Sequence, residues 1–192
     1  AELASVCNTR ALFWEKRGDR EAAEGLLRYA LEIRRRLAAF NPAAHEADVA
    51  KSCHDLGMLL KEESKSEAEP LLYEAWQVYQ RLAERFPKAY DAFLSPVAFN
   101  LAELLSGQNR KTEAVPFYRE ALAADYRLAE SQPGLYAAYP ADTAWSLAEC
   151  LCESGRSEEG RKLYEEALAL YEAIPGKKRQ AEYIRNILKT QF

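Results

Sequence analysis

Long apolar runs are missing from this 192-residue chain. No stretch approaches the roughly 18 consecutive apolar residues that a membrane-spanning helix needs, so a membrane is not expected as a partner. No basic-then-apolar leader opens the sequence. The chain starts at Ala1 in place of Met, inside a stretch that already patterns as helix. It therefore reads as a segment of a longer protein, and the missing leader says little about the whole. A cytoplasmic setting is expected.

Reactive side chains are equally sparse. His45 and His54 are the only histidines, and neither has an Asp or Glu pair completing a metal or nucleophile constellation. There is no glycine-rich phosphate loop and no GxSxG elbow. Cys7, Cys53, Cys150 and Cys152 lack the paired CxxC spacing of a zinc site and the density of a disulfide scaffold. Cys150 and Cys152 lie about 200° apart around a predicted helix, too far to grip one metal. Cys7 and Cys53 hold equivalent places and read as small buried residues between helices. A reducing compartment fits them. The expectation is no enzyme: no catalytic, cofactor-binding or metal-binding residue and no cofactor. A basic excess is missing too, since 26 Lys and Arg face 30 Asp and Glu for a net charge of −4. Nucleic acid wants a clustered basic face and is not expected as a partner. Arg34-Arg35-Arg36 and Lys177-Lys178-Arg179 read as solvated helix faces.

What the chain does have is a period. Ala114, Tyr118 and Ala121 stand at i, i+4 and i+7 and share one helix face. The same small–bulky–small triplet occurs as Ala23, Leu27, Ala30, as Ala68, Leu72, Ala75, and as Gly160, Tyr164, Ala167, at intervals of 45, 46 and 46 residues. Self-similarity at such a spacing marks a stacked helical repeat in which each unit packs only on its neighbours. No segment alternates with period two over a useful length. The expected class is all-α, an α-solenoid of antiparallel helix pairs with about four repeats and a C-terminal capping helix.

Turn signals place the elements. Helices are expected at about 3–17, 20–40, 47–61, 67–86, 96–106, 111–131, 140–153 and 157–174. Gly18-Asp19, Asn41-Pro42, Pro87, Gln132-Pro133-Gly134, Ser154-Gly155 and Pro175-Gly176 stop them. Lys88 to Leu94 reads as a connector, with Ser95-Pro96 as an N-cap and first-turn proline. The repeats then fall at about 3–42, 47–87, 95–133 and 140–174 in one domain of residues 1–192, closed by a cap helix at 177–191.

The first helices carry Leu-small-x-x-bulky, as in Leu101-Ala102…Leu105 and Leu147-Ala148…Leu151, and Gly155 lies in the following turn. Together with the triplet this resembles the tetratricopeptide repeat, a helix–turn–helix unit that stacks into a right-handed superhelix. The period exceeds that family's usual ~34 residues, with the excess expected in the second helix and its connector. Leu82-Ala83-Glu84…Pro87 and Leu128-Ala129-Glu130…Pro133 are similar to the endings of kinesin-light-chain-type and long bacterial arrays; the first unit keeps only Leu37-Ala38-Ala39…Pro42. The resemblance implies a scaffold that binds a protein or peptide in a groove lined by first helices.

A helix wheel locates that groove stripe. It runs as Asn8, Leu12 and Glu15, then His54, Met58 and Lys61, then Phe99, Glu103 and Ser106, then Trp145, Glu149 and Cys152. Phe99 and Trp145 are expected as anchors for an apolar or cationic side chain, or else as packing beneath the long second helices. Lys51 and Lys61 beside His54 have no basic counterpart in the next unit, so recognition of a carboxylate tail is not expected. The competing roles are self-assembly, as a homo-oligomer joined through the repeat ends, and a regulatory array within a larger protein.

Overall fold

The computed structural model describes residues 2–192, and among them every regular element is an α-helix. In order these are α1 (Glu2–Lys16), α2 (Arg20–Phe40), α3 (Pro42–Leu60), α4 (Lys65–Arg85), α5 (Pro87–Gly107), α6 (Lys111–Ser131), α7 (Pro133–Tyr136), α8 (Tyr139–Glu153), α9 (Ser157–Ala173) and α10 (Lys178–Gln191). They form two compact units, one ending at Arg85 and one covering Phe86–Phe192.

In the first unit α1 packs on α2, α2 on α3 and α3 on α4; in the second α5 packs on α6, α6 on α8, α8 on α9 and α9 on α10. The triplets are the packing surface. Ala30, Ala68, Leu72, Ala75, Ala114, Ala121 and Ala167 have no exposed surface. Small residues let the backbones approach, and Gly160 shows the limit: a Cβ there would lie 2.3 Å from Cys152 Sγ and 2.9 Å from the Ala148 carbonyl oxygen. Leu56, Leu59, Leu60, Leu101, Leu104, Leu105, Leu147 and Leu151 complete the cores from the first helices. Cys7, Cys53 and Cys150 are buried thiols and Cys152 is half-buried.

Two backbone devices recur with the period. Inside the first, third and fourth repeats, the turn uses a left-handed residue: Gly18 (φ 80°), Asn109 (φ 62°) and Gly155 (φ 84°). Each lets the next amide bond back five residues, as Asp19 N to Trp14 O at 3.0 Å, Arg110 N to Leu105 O at 2.9 Å and Arg156 N to Leu151 O at 2.8 Å. This is a helix C-terminal motif whose left-handed residue is favourable for Gly and tolerable for Asn. Between repeats, one non-helical residue precedes a proline: Asn41 (φ −145°), Phe86 (φ −139°) and Gln132 (φ −142°). Proline disfavours the helical conformation in the residue before it and suits the first helical position itself. The same Pro therefore starts the next helix.

That corrects two expected boundaries. α3 starts at Pro42, not near residue 47, and α5 starts at Pro87, so Lys88 to Leu94 is helix and not a connector. Ser95 is no N-cap; it is 4% exposed within α5, and Pro96 is an interior proline. The long period is thus filled by first helices of 19 and 21 residues as well as by second helices of 21. The arginine run also needs correction. Arg34 is 4% exposed and donates to Ser52 Oγ at 2.6 Å and to the Asp48 carbonyl at 3.3 Å. Only Arg35 and Arg36 face out, pairing with Glu74 and Glu32.

Candidate partner-binding face

In the first unit the expected stripe lies on α1 and α3. Asn8 is buried; its Nδ2 donates to Asp55 Oδ2 at 2.8 Å, joining the two first helices, while its Oδ1 is sealed with no partner among the described residues. His54 is half-buried, its Nδ1 3.9 Å from Asp55 Oδ1. Burial first, with Lys51 adding to it, lowers its basicity against the opposing pull of Asp55, so the imidazole is neutral near pH 7. Leu12 is 58% and Met58 36% exposed. Apolar side chains on one face of successive helices are here left in solvent.

In the second unit the stripe lies on α5 and α8. Phe99 is half-buried and meets the Tyr118 ring edge-on at 5.5 Å between centroids. Trp145 is half-buried between Tyr171, at 6.4 Å, and Tyr183 of α10, at 5.2 Å, and its Nε1 donates to Glu149 Oε1 at 2.8 Å. Both aromatics therefore lean on tyrosines of other helices while keeping an open side. Glu103 is half-buried and Glu149 exposed. Phe99 also lines a cavity of about 210 Å³ with Ser95, Pro96, Asp125, Tyr139, Asp142 and Thr143. Beside the stripe, Lys111 Nζ donates to Ser106 Oγ at 3.2 Å and pairs with Glu153.

Three contributors escaped the helix wheel. Asp55 sits one residue past the stripe, where a hydrogen bond redirects it inward. Tyr118 and Tyr164 belong to the triplets, where they read as packing. The signal available in the sequence was the change of the bulky member from Leu27 and Leu72 to tyrosine at the two later positions.

No group of three or more His, Cys, Asp or Glu among the described residues is arranged to hold a metal ion. No helix among them is long and apolar enough to cross a membrane.

Stacked helix pairs with small residues at their seams define a helical-repeat protein of the solenoid class. The fold is that of kinesin-light-chain-type arrays of tetratricopeptide-like repeats. The tetratricopeptide-repeat family model matches residues 3–41 and 100–124. The crystal structure of BtubC (BKLC) from P. vanneervenii is similar, with TM-score 0.75 and 24% identity, over 91% of this chain and 65% of that one. The chain thus spans about two thirds of that protein's length. Two structures of kinesin-light-chain-type TPR-like repeats from Podosopora anserina superpose with TM-scores of 0.66 and 0.68 at 16% and 15% identity. They cover 96% of this chain and 92% and 91% of theirs. No curated protein matches the sequence.

Proposed function

We propose that the chain is a protein-interaction module whose first-helix faces bind an extended or helical segment of a partner protein. Tetratricopeptide repeats generally act in this way, and the repeat architecture supplies the extended surface such binding needs. The observation that carries the reading is the exposure of Leu12 and Met58 at equivalent places of α1 and α3. A core use would have buried them, and an inert surface would favour polar residues there. In the second unit the half-open rings of Phe99 and Trp145 and the cavity beside Phe99 support it.

The test is affinity capture from an extract of the source organism, comparing the unaltered chain with Leu12→Ser/Met58→Ser and with Phe99→Ala. A partner retained by the unaltered chain and lost from the variants, with melting temperatures held within a few degrees, is the expected result. A partner indifferent to all three substitutions sinks the reading.

Self-association is the second reading, favoured by a different surface. Leu3, Val6 and Phe13 share the other side of α1 and are 54%, 53% and 50% exposed. Sedimentation that stays monomeric at every concentration rejects it.

A further inference from the structure

Asp125 of α6 is 1% exposed, and its two carboxylate oxygens take only neutral donors: Ser95 Oγ of α5 on one, and Thr143 Oγ1 of α8, at 2.6 Å, on the other. It has no ion pair among the described residues. Asp91, the other buried carboxylate among them, has one: Arg127 donates to it twice, at 2.8 and 2.7 Å. A buried charge without a counter-charge is unfavourable, so Asp125 is the exception to explain. The first unit fills the same place differently. Two repeats earlier the residue is Arg34, which is 4% exposed and donates to Ser52 Oγ at 2.6 Å. Lys51 likewise stands where the second unit has Asp142. Both signs are reversed: the first unit has cations at this place and the second has carboxylates.

In the second unit that place opens into a cavity. Asp125, Ser95 and Thr143 line it together with Pro96, Phe99, Tyr139 and Asp142, and its volume is about 210 Å³. This is below the roughly 300–1,000 Å³ of small-molecule pockets and suits a single side chain. Its apolar walls are the rings of Phe99, Tyr139 and Pro96. Its polar atoms are acceptors. A serine or threonine hydroxyl has one proton, and Ser95 and Thr143 use theirs on Asp125, so only lone pairs are left to face a guest. Asp142 accepts from the Tyr171 hydroxyl at Oδ1, which also lies 3.9 Å from Lys177 Nζ; its Oδ2 has no partner among the described residues. The Tyr139 hydroxyl can turn its proton outward and accept as well.

We infer that this cavity receives the ammonium end of one lysine side chain from the partner segment. The stem lies along Phe99, Pro96 and Tyr139, and the head meets Ser95 Oγ, Thr143 Oγ1 and the open oxygen of Asp142. A lysine head has three donors and no acceptor, the complement of this lining, and it supplies the counter-charge that Asp125 lacks. A cation also gains from neighbouring aromatic faces. Arginine loses its advantage here. Its planar fork wants both oxygens of one carboxylate, and those of Asp125 are covered by hydroxyls while Asp142 has one taken. The inference rests on the peptide-binding reading and narrows it to the second unit.

The probe is n-butylammonium, a lysine side chain without its backbone, titrated at constant ionic strength into the isotope-labelled chain and followed by amide NMR shifts. Saturating shifts at residues 95–99 and 139–143, around the cavity, are expected. n-Butanol has the same stem without the charge and should bind about tenfold more weakly, as a neutral hydrogen-bonding group does beside a charged one. Asp125→Asn should weaken n-butylammonium binding about tenfold, and Asp142→Asn about fivefold. Asp142 is half exposed, so its variant serves even if Asp125→Asn disturbs the fold, which a melting curve shows. Glu62→Gln, with the same charge change on an exposed residue of the first unit, should leave binding within about twofold. Shifts that do not saturate, shifts away from the cavity, equal binding of n-butanol, or indifference to Asp142→Asn each overturns the inference. If one of these occurs while a captured partner is still lost from Leu12→Ser/Met58→Ser, the peptide-binding reading stands and only the lysine pocket falls. Saturable binding in the cavity with no partner captured by the unaltered chain also overturns the inference, because the lysine then has no segment to come from.

Discussion

Thr143 Oγ1 of α8 donates a 2.6 Å hydrogen bond to Asp125 Oδ2 of α6, and Asp125 is 1% exposed. The other carboxylate oxygen accepts from Ser95 Oγ of α5. One buried charge thus ties the first and second helices of a repeat to the first helix of the next. Its position is a repeat position. Arg34, Tyr79 and Tyr171 are its equivalents, bonding to Ser52, to the Ala47 carbonyl and to Asp142 respectively. Each second helix therefore carries one inward polar residue anchored on a first helix, amid alanines and leucines that give no register of their own.

Removing one donor leaves a buried carboxylate oxygen exposed to apolar surroundings. Thr143→Val, close in volume, is expected to lower unfolding free energy by about 2 kcal/mol, the range for hydrogen bonds to charged groups. Thr143→Ser keeps the hydroxyl and should lose less. Urea unfolding of both variants measures the difference.

Asp125 also predicts a pH dependence. Burial holds its carboxyl above the ordinary value, against the opposing hydrogen bonds from Ser95 and Thr143. The folded chain then keeps a proton at pH values where the unfolded chain, near ~3.9, has lost it. Stability from this group is fully present below the unfolded value and is lost as pH rises through the folded one. Asp125→Asn has no such titration. Its unfolding free energy relative to the unaltered chain should climb with pH from about 4 and then level off. A flat difference across that range refutes the assignment.

The α8–α9 seam gives a steric prediction. A methyl at residue 160 would meet Cys152 Sγ at 2.3 Å and the Ala148 carbonyl at 2.9 Å. Gly160→Ala should destabilise by about 1–3 kcal/mol, as overpacking does. Adding Cys152→Ala clears the sulfur but not the backbone oxygen, so thermal melts should show partial recovery only.

The repeat, the all-helical class and the triplet cores were legible because small and bulky residues recur at helical spacing. The helix starts at Pro42 and Pro87 were not, since a proline that ends one helix reads as a break until the next helix is seen to begin on it. The burial of Arg34 was legible in principle: three consecutive residues sweep ~200° of a helix, so Arg34, Arg35 and Arg36 could not all face water. The hydroxyls of Tyr118 and Tyr164 were not, because a triplet pattern registers size and says nothing of which neighbours a phenol oxygen will meet.

The stretch mistaken for a connector holds a buried ion pair. Asp91, in the second turn of α5, accepts from Arg127 Nε at 2.8 Å and Nη2 at 2.7 Å. The two side chains differ sharply in exposure, 3% for Asp91 and 45% for Arg127. This asymmetry decides what each substitution does. Arg127→Gln strands a buried carboxylate and should destabilise by about 3 kcal/mol, the low end for a broken buried pair because the lost guanidinium was half in water. Asp91→Asn removes the buried charge and leaves an arginine that water can reach, so its loss should be nearer ~1 kcal/mol. Chemical denaturation of the two variants at pH 7 orders them. Equal losses would mean that the pair acts as a surface bridge and that α5 does not need it to form its first turns.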